Sequence, residues 1–384
     1  MPVANRMRAY SANSSFIRKM FEEGNRLAAI HGRENVYDFS LGNPDVAPPA
    51  SVLESLSRHA ASMNHGYMPN AGYPAVRAKV AEYASRLYEV ELDASGILMT
   101  CGAGGALNVI LKALLDEGSE VITIAPYFAE YRFYIENHGG RMVTVKAGAD
   151  FLPDVAAIQA ALTGRTRAII INSPNNPSGR IYPAGTLKAL AEIIAERPDI
   201  AVIADEPYRR LVYDGLSVPS VLKHIPNSLV ATSASKELSL PGQRIGFIAL
   251  SPAIGERDEL MDALIMANRI LGFVNAPALM QLVLADCIAD CVDVGIYDAR
   301  RKAMCQVMDA AGLKYAEPEG AFYLFVAAPK GDDLGFCQAL VEERILAVPG
   351  TGFGYPGYIR FAYCYDEQTI RNAAAGLKRA VAKF

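Results

Sequence analysis

The sequence predicts an α/β protein: a three-layer α/β/α large domain around a mostly parallel seven-stranded sheet, plus a smaller α+β domain formed by the N-terminal segment and the C-terminal third. Three observations carry this. The length of 384 residues exceeds one ordinary domain and fits one large α/β domain with an appendage. Seven short apolar runs follow one another between residues 97 and 250: ILMT, VITI, RMVTV, RAIIIN, IAVIAD, SLVATS and RIGFIAL. Most are β-branched, with helical patterns or loops between them, which is the signature of a sheet covered on both faces. The expected boundaries are an N-terminal arm at 1–45, a large domain at 46–275 and a small domain at 276–384.

Taken in order, residues 14–31 carry Phe16, Ile17, Met20, Phe21 and Leu27 at helical spacing, with serines at the expected N-cap. VYDFSLGNPDVAPP then reads as a short strand entering a Gly/Pro loop, where Gly42 would permit close approach of a ligand or simply make a turn. Residues 50–61 are helix-like. Tyr67 stands in a Gly/Pro-rich loop before an amphipathic helix from Pro74 to about Leu87, and an isolated loop tyrosine ordinarily packs.

Ligands of such sheets bind beyond the carboxyl ends of the strands, so the residues after each run matter most. ILMT is followed by CGAGGALNVILKALL. The backbone N–H groups of Gly102, Ala103 and Gly104, at a helix N-terminus, suit a single phosphate. Leu107 stands where a dinucleotide fingerprint needs glycine, and no G-K-[ST] follows, so neither that fingerprint nor a P-loop is present. After VITI come Phe128 and Tyr131, aromatics that either stack on a planar ligand or pack in the core. After RAIIIN comes SPNNPSGR, a turn in which the Asn176 amide can donate to an oxygen. IAVIAD ends in Asp205. That carboxylate either caps a helix or meets a cationic partner, since burial alone is costly. Tyr208 lies three residues on.

SASKELSLPGQRIG, residues 233–246, is the densest stretch. Lys236 sits among small residues, where desolvation would lower its pKa and make its amine a nucleophile towards carbonyls. Ser233 and Ser235 supply hydroxyls, and Arg244 a planar cation suited to phosphate. The alternative is a solvated surface loop. Beyond it, residues 256–288 read as helix interrupted near GFVNAP, and 293–311 as a further helix. GAFYLFVAAP and YIRFAYC read as strands, LGFCQALVEER as a helix, and 366–382 as a last helix. Arg360 inside an apolar strand is either paired structurally or held for an anionic ligand.

The net charge of −4 gives no general signal for nucleic acid or membrane, and no apolar run is long enough to span a bilayer. The first residues lack the apolar core of a secretory signal. Six scattered cysteines without C-x-x-C read as reduced thiols of a cytoplasmic protein, and five isolated histidines show no metal-ligand spacing.

Together the stretches from SLGNPD to IRFAYC, with NNPSG, DEPY and SASKELSLPGQRIG the most specific, resemble the class I/II aminotransferases of the aspartate aminotransferase family, fold-type I enzymes that use pyridoxal 5′-phosphate. The resemblance implies a ping-pong transfer of an amino group from an L-amino acid to a 2-oxo acid. Lys236 would form the internal aldimine and move the proton, and Asp205 would keep the ring nitrogen protonated. Tyr208 and Asn176 would donate to the ring oxygen, and Phe128 would stack on the ring. Ala103, Gly104, Ser233, Ser235 and Arg244 would bind the phosphate. Tyr67 would reach the phosphate of a neighbouring subunit, which implies a homodimer. Arg360 would hold the substrate α-carboxylate, with Asn176 beside it and Gly42 supplying a backbone contact. No metal and no nucleic acid are implied. Some dicarboxylate-specific relatives carry an arginine five residues before the turn that aligns with Asn275, and many that lack it use other residues, so its absence does not exclude acidic substrates. Here that position is Ile270, and Arg269 is one place off, so the donor is left open. A lyase or decarboxylase on the same fold shares the cofactor residues. A DNA-binding regulator would need a longer basic segment before SLGNPD, and a dehydrogenase the missing glycine fingerprint.

Overall fold

The computed structural model describes residues 3–12, 16–61 and 65–384, so the serines expected to cap the first long helix lie outside the described residues. The strands in chain order are β1 (Tyr37–Asp38), β2 (Ile97–Thr100), β3 (Glu120–Ala125), β4 (Arg141–Lys146), β5 (Thr166–Asn172), β6 (Ala201–Asp205), β7 (Ser228–Ser233), β8 (Gly246–Leu250), β9 (Tyr323–Ala327), β10 (Ile345–Leu346), β11 (Val348–Pro349) and β12 (Tyr358–Ala362). The seven expected runs form one sheet in the order β2-β8-β7-β6-β5-β3-β4. All neighbours are parallel except β8, which runs antiparallel to both β2 and β7.

Side chains alternate between the two faces, as the strand period of two requires. Ile169 and Ile171 of β5, Val202 and Ala204 of β6, and Phe247 and Ala249 of β8 enter one core. Ala168, Ile170, Ile203, Ile248 and Leu250 enter the other. Helices Pro74–Tyr88, Ala184–Ile194 and Ala278–Cys287 cover the first face, and Gly102–Leu114 and Arg257–Ile270 the second. Two buried faces explain why six of these strands read as continuous apolar runs, while the edge strand β4 exposes Arg141, Thr144 and Lys146.

A further core gathers Phe39, Tyr208, Tyr297, Phe322, Tyr323, Leu324, Phe361 and Leu377. It sits against the antiparallel sheet β11-β12-β9, in which Arg360 of the middle strand lies opposite Val348 and Phe325. The N-terminal segment joins this region. β1 pairs parallel with β10, and Phe39 O accepts a bond from Ala362 N at 2.8 Å. Leu27 of helix Phe16–His31 packs with Val36 and Leu346. This carries residues 40–42 to the ends of the main sheet.

One expected element differs: the last helix is split at Ala373 into Glu367–Asn372 and Ala374–Ala382. The stretch 256–288 is interrupted where expected, as two helices separated by residues 271–277, where Val274 has φ +61°. No helix among the described residues is long and apolar enough to cross a membrane.

Candidate active site

Beyond the carboxyl ends of β5, β6 and β7 lies a cleft of about 910 Å³. Lys236 belongs to the four-residue helix Ala234–Glu237 that directly follows β7, and Ser233 Oγ accepts the N–H of Ser235 at 3.4 Å. Lys236 Nζ donates to Gly42 O at 2.7 Å and stands 5.4 Å from the Phe322 ring centroid. Burial lowers its pKa to about 8. Arg360 and Arg244 act in the same direction, and Cys364 opposes them.

Asp205 ends β6 and is followed by a turn, so it caps no helix. Its Oδ2 accepts from Tyr131 OH at 2.6 Å. Its Oδ1 is buried without a partner. Burial raises the carboxyl pKa to about 7, against the Tyr131 bond and with a small push from Glu206. Asn172 ties the strand ends together: Nδ2 donates to Asp205 O at 2.7 Å, and Oδ1 accepts the N–H of Asn176 at 2.7 Å.

Asn176 Oδ1 in turn accepts from Arg360 Nη1 at 3.1 Å, and Arg360 Nη2 donates to Ser40 O. The guanidinium lies 4.6 Å from the Tyr323 centroid and 4.9 Å from that of Phe353, while Nε is buried without a partner. Burial lowers its pKa. Tyr208 OH and Tyr323 OH share a hydrogen bond of 2.9 Å. Gly42 is glycine for want of space: a Cβ there would overlap the Tyr323 hydroxyl and lie 2.7 Å from its Cζ.

At the other end, Gly102 opens helix Gly102–Leu114 with φ +73°. Arg244, itself at φ +52°, bonds Pro241 O at 3.0 Å and Cys101 O at 3.4 Å. A Cβ on Gly102 would come within 2.9 Å of Arg244 Nη2. The helix N-terminus and the guanidinium thus face one point, an arrangement suited to an anion.

Residues 34–377 match the family model described as aminotransferase class I and II. The chain belongs to the class I and II aminotransferases. It is therefore a transferase of nitrogenous groups. The aspartate/prephenate aminotransferase of Thermus thermophilus is 30% identical over 358 residues, 90% of each chain. A probable aspartate aminotransferase of Methanocaldococcus jannaschii is 29% identical over 350 residues, 89% of this chain and 92% of that one. Among solved structures, an aminotransferase from Eubacterium rectale superposes with a TM-score of 0.96 at 37% identity, covering 100% of this chain and 99% of that one. The aspartate aminotransferase of Thermus thermophilus with maleate gives 0.89 at 28% identity, with 99% and 100% covered.

In this aminotransferase the cleft is lined by every residue expected at the site except one: Gly42, Ala103, Gly104, Phe128, Asn176, Asp205, Tyr208, Ser233, Ser235, Lys236, Arg244 and Arg360. Tyr67 does not line it and is 95% exposed. Arg269 is also exposed, at the end of helix Arg257–Ile270. Sequence reasoning missed Tyr131 as the partner of Asp205, Asn172 as the tie between strands, and Tyr323 beside Tyr208. From the N-terminal segment, where no site residue was singled out, Met7 and Tyr10 of helix Asn5–Ala12 line the cleft. Tyr131 stood in view, three residues past Phe128. Tyr323 is embedded in an apolar strand and gave no signal.

Proposed function

We propose that this aminotransferase uses pyridoxal 5′-phosphate to move the amino group of an L-amino acid to a 2-oxo acid, in two half-reactions that share one cleft. The observation that carries the reading is the unpartnered, buried Asp205 Oδ1 in the same cleft as the lysine amine of lowered pKa. Pyridoxal phosphate supplies a carbonyl for an amine and a protonated ring that withdraws electrons from the substrate Cα.

The residues present fit that group. Asp205 Oδ1 would accept the ring N–H, and Tyr131 on Oδ2 would keep the carboxylate oriented. Ala103, Gly104, Ser233, Ser235 and Arg244 would hold the phosphate, with Phe128 against the ring and Tyr208 and Asn176 at its hydroxyl. Lys236 would bind covalently through its amine. Once released, it would take a proton at the substrate Cα and return it at the cofactor carbon. An amine with pKa about 8 serves both directions near neutral pH. Arg360 would fix the substrate α-carboxylate through a planar pair of N–H donors, with Asn176 and the Gly42 backbone beside it.

A homodimer is part of the same proposal, and the placement of Tyr67 supports it. It is exposed and stands just before Met68, Pro69 and Asn70, which are clasped to residues 274–275: Asn275 Nδ2 bonds Pro69 O at 3.0 Å, and Asn70 Nδ2 bonds Val274 O at 3.1 Å. Exposed Met266 and Ile270 lie on the helix leading to that clasp. A second copy would bury this face and bring Tyr67 to its phosphate site. An arm to residue 45 is part of the same proposal; the large domain, expected to end at 275, is instead proposed to run past Cys287, because helix Ala278–Cys287 packs into the main-sheet core. The proposed compartment is the cytoplasm.

The test is borohydride reduction of the protein with pyridoxal phosphate, followed by peptide mapping. The reduced adduct should sit on Lys236 and vanish in Lys236→Ala. Amino acids should then pass their nitrogen to an oxo acid. Release of ammonia or carbon dioxide instead would make the protein a lyase or decarboxylase.

A further inference from the structure

We infer that the far end of the cleft is a compartment for a large uncharged side chain, so that the amino donor is an aromatic or long aliphatic amino acid rather than a dicarboxylic one. The inference rests on the amino-transfer reading above. Among the described residues three cations line the cleft: Lys236, Arg244 and Arg360. Each already has a task there: the covalent bond, the phosphate and the α-carboxylate. A second substrate carboxylate would need a fourth cation, and none lines the cleft among the described residues.

The wall that remains is built by the N-terminal segment and helix Tyr131–Asn137. Met7, Tyr10, Phe21 and Phe133 line it, with the uncharged polar side chains of Ser11, Tyr134 and Asn137 between them. Met7 is 52% exposed and Phe21 41%, which leaves apolar surface for a ligand to cover. The helix Asn5–Ala12 is strapped over the cleft at two points. Arg6 Nη1 donates to Glu136 O at 3.2 Å, and Tyr10 OH donates to Glu136 Oε2 at 2.7 Å. The Tyr10 ring meets Phe133 edge to face at 4.9 Å. With its hydroxyl engaged by Glu136, Tyr10 offers the cleft chiefly its ring. Glu136 is itself neutralised by Arg132 at 2.7 Å, and Arg132 does not line the cleft. The ionisable acid that does line this side is Glu130, which has no cation partner among the described residues and whose pKa burial raises.

These features select by charge and by area. A carboxylate brought into this end would lose water, find no cation and face Glu130, which is unfavourable on both counts. A phenyl or long alkyl group would instead cover Met7, Phe21 and the aromatic edges.

The experiment uses the holoenzyme and two unreactive acids that lack the amino group, hydrocinnamate and succinate, with binding read by calorimetry. Hydrocinnamate should bind at least about tenfold more tightly. In half-reactions, phenylalanine, leucine and methionine should discharge the lysine-bound absorption band at lower concentration than aspartate. The double variant Met7→Ala, Phe21→Ala should raise the KM for phenylalanine several-fold and leave that for alanine unchanged. A merely structural role would move both. Tighter binding of succinate, including through a cation from a second copy, or an equal rise of both KM values, would overturn the compartment. Failure to form the lysine-bound band at all would instead overturn the amino-transfer reading on which it rests.

Discussion

Replacing Asp205 with asparagine separates the electrostatic cost of this residue from its use. In the cofactor-free protein the carboxyl pKa is raised from 3.8 to about 7, because burial disfavours the anion and Oδ1 has no partner. The native state therefore holds its proton over a range in which the unfolded chain has lost it. No penalty exists below the unfolded pKa, and the full penalty exists above the folded one. A displacement of about 3 units corresponds to about 4 kcal/mol. Between about pH 5 and about pH 8.5 most of it, about 3 kcal/mol, accrues. Asparagine does not titrate, and its Oδ1 can still accept from Tyr131. The unfolding free energy of Asp205→Asn minus that of the parent should thus rise by this amount across the interval. The chain has no tryptophan, so urea unfolding of both proteins is followed by circular dichroism. Amino transfer should fall by orders of magnitude in the same variant, since a neutral amide cannot hold a ring nitrogen protonated. A difference in stability that stays flat, or declines, as pH rises would refute the reasoning.

The remaining predictions concern neighbours of Asp205. In the cofactor-free protein the Lys236 amine has a pKa lowered to about 8, so its nucleophilic neutral form gains as pH rises. The rate of pyridoxal phosphate attachment, followed by absorbance, should climb with a midpoint near 8; a midpoint near the ordinary lysine value of 10.5 would count against the burial argument. Gly42→Ala should push Tyr323 or the 40–42 backbone aside, costing about 1–3 kcal/mol in thermal unfolding and raising the KM of the amino donor. Arg360→Lys keeps the charge but loses the planar fork, and kcat/KM should fall about 10- to 100-fold with every donor alike.

Much of this molecule is legible in its sequence, for a physical reason. Strands buried on both faces must be apolar throughout, so six of the seven runs announced themselves, the exposed edge strand β4 being the exception, and polar residues at or just past their ends, such as Asp205 and Lys236, stood out by contrast. Strand order carries no such mark. Nothing in RIGFIAL shows that it runs against its neighbours. The partners of the visible residues were hidden in the same way. Tyr323 is one aromatic in an aromatic strand, and its proximity to Tyr208 and Gly42 exists only after two distant segments meet. Met7 and Tyr10 lie on a helix of weak amphipathic character, and only the fold brings it across the cleft. Tyr67 is the reverse case: conspicuous in the sequence, yet within one chain it faces solvent.

The reversal of β8 has a consequence for how this protein can be altered. A parallel neighbour would oblige the chain to cross the whole sheet before returning. Here β7 and β8 are antiparallel and adjacent, with Ser233 opposite Gly246. The twelve residues between these two therefore stay at one rim, and both Lys236 and Arg244 lie in that single excursion. The cost is rigidity of length. One residue gained or lost that was not absorbed in the excursion would slip β8 by one place between β2 and β7, exchanging Phe247 and Ala249 with Ile248 and Leu250 across the two cores. Insertions that other loops of the molecule would absorb should here exact both the anchor and the sheet, which makes this segment a poor site for tags, linkers or permuted termini.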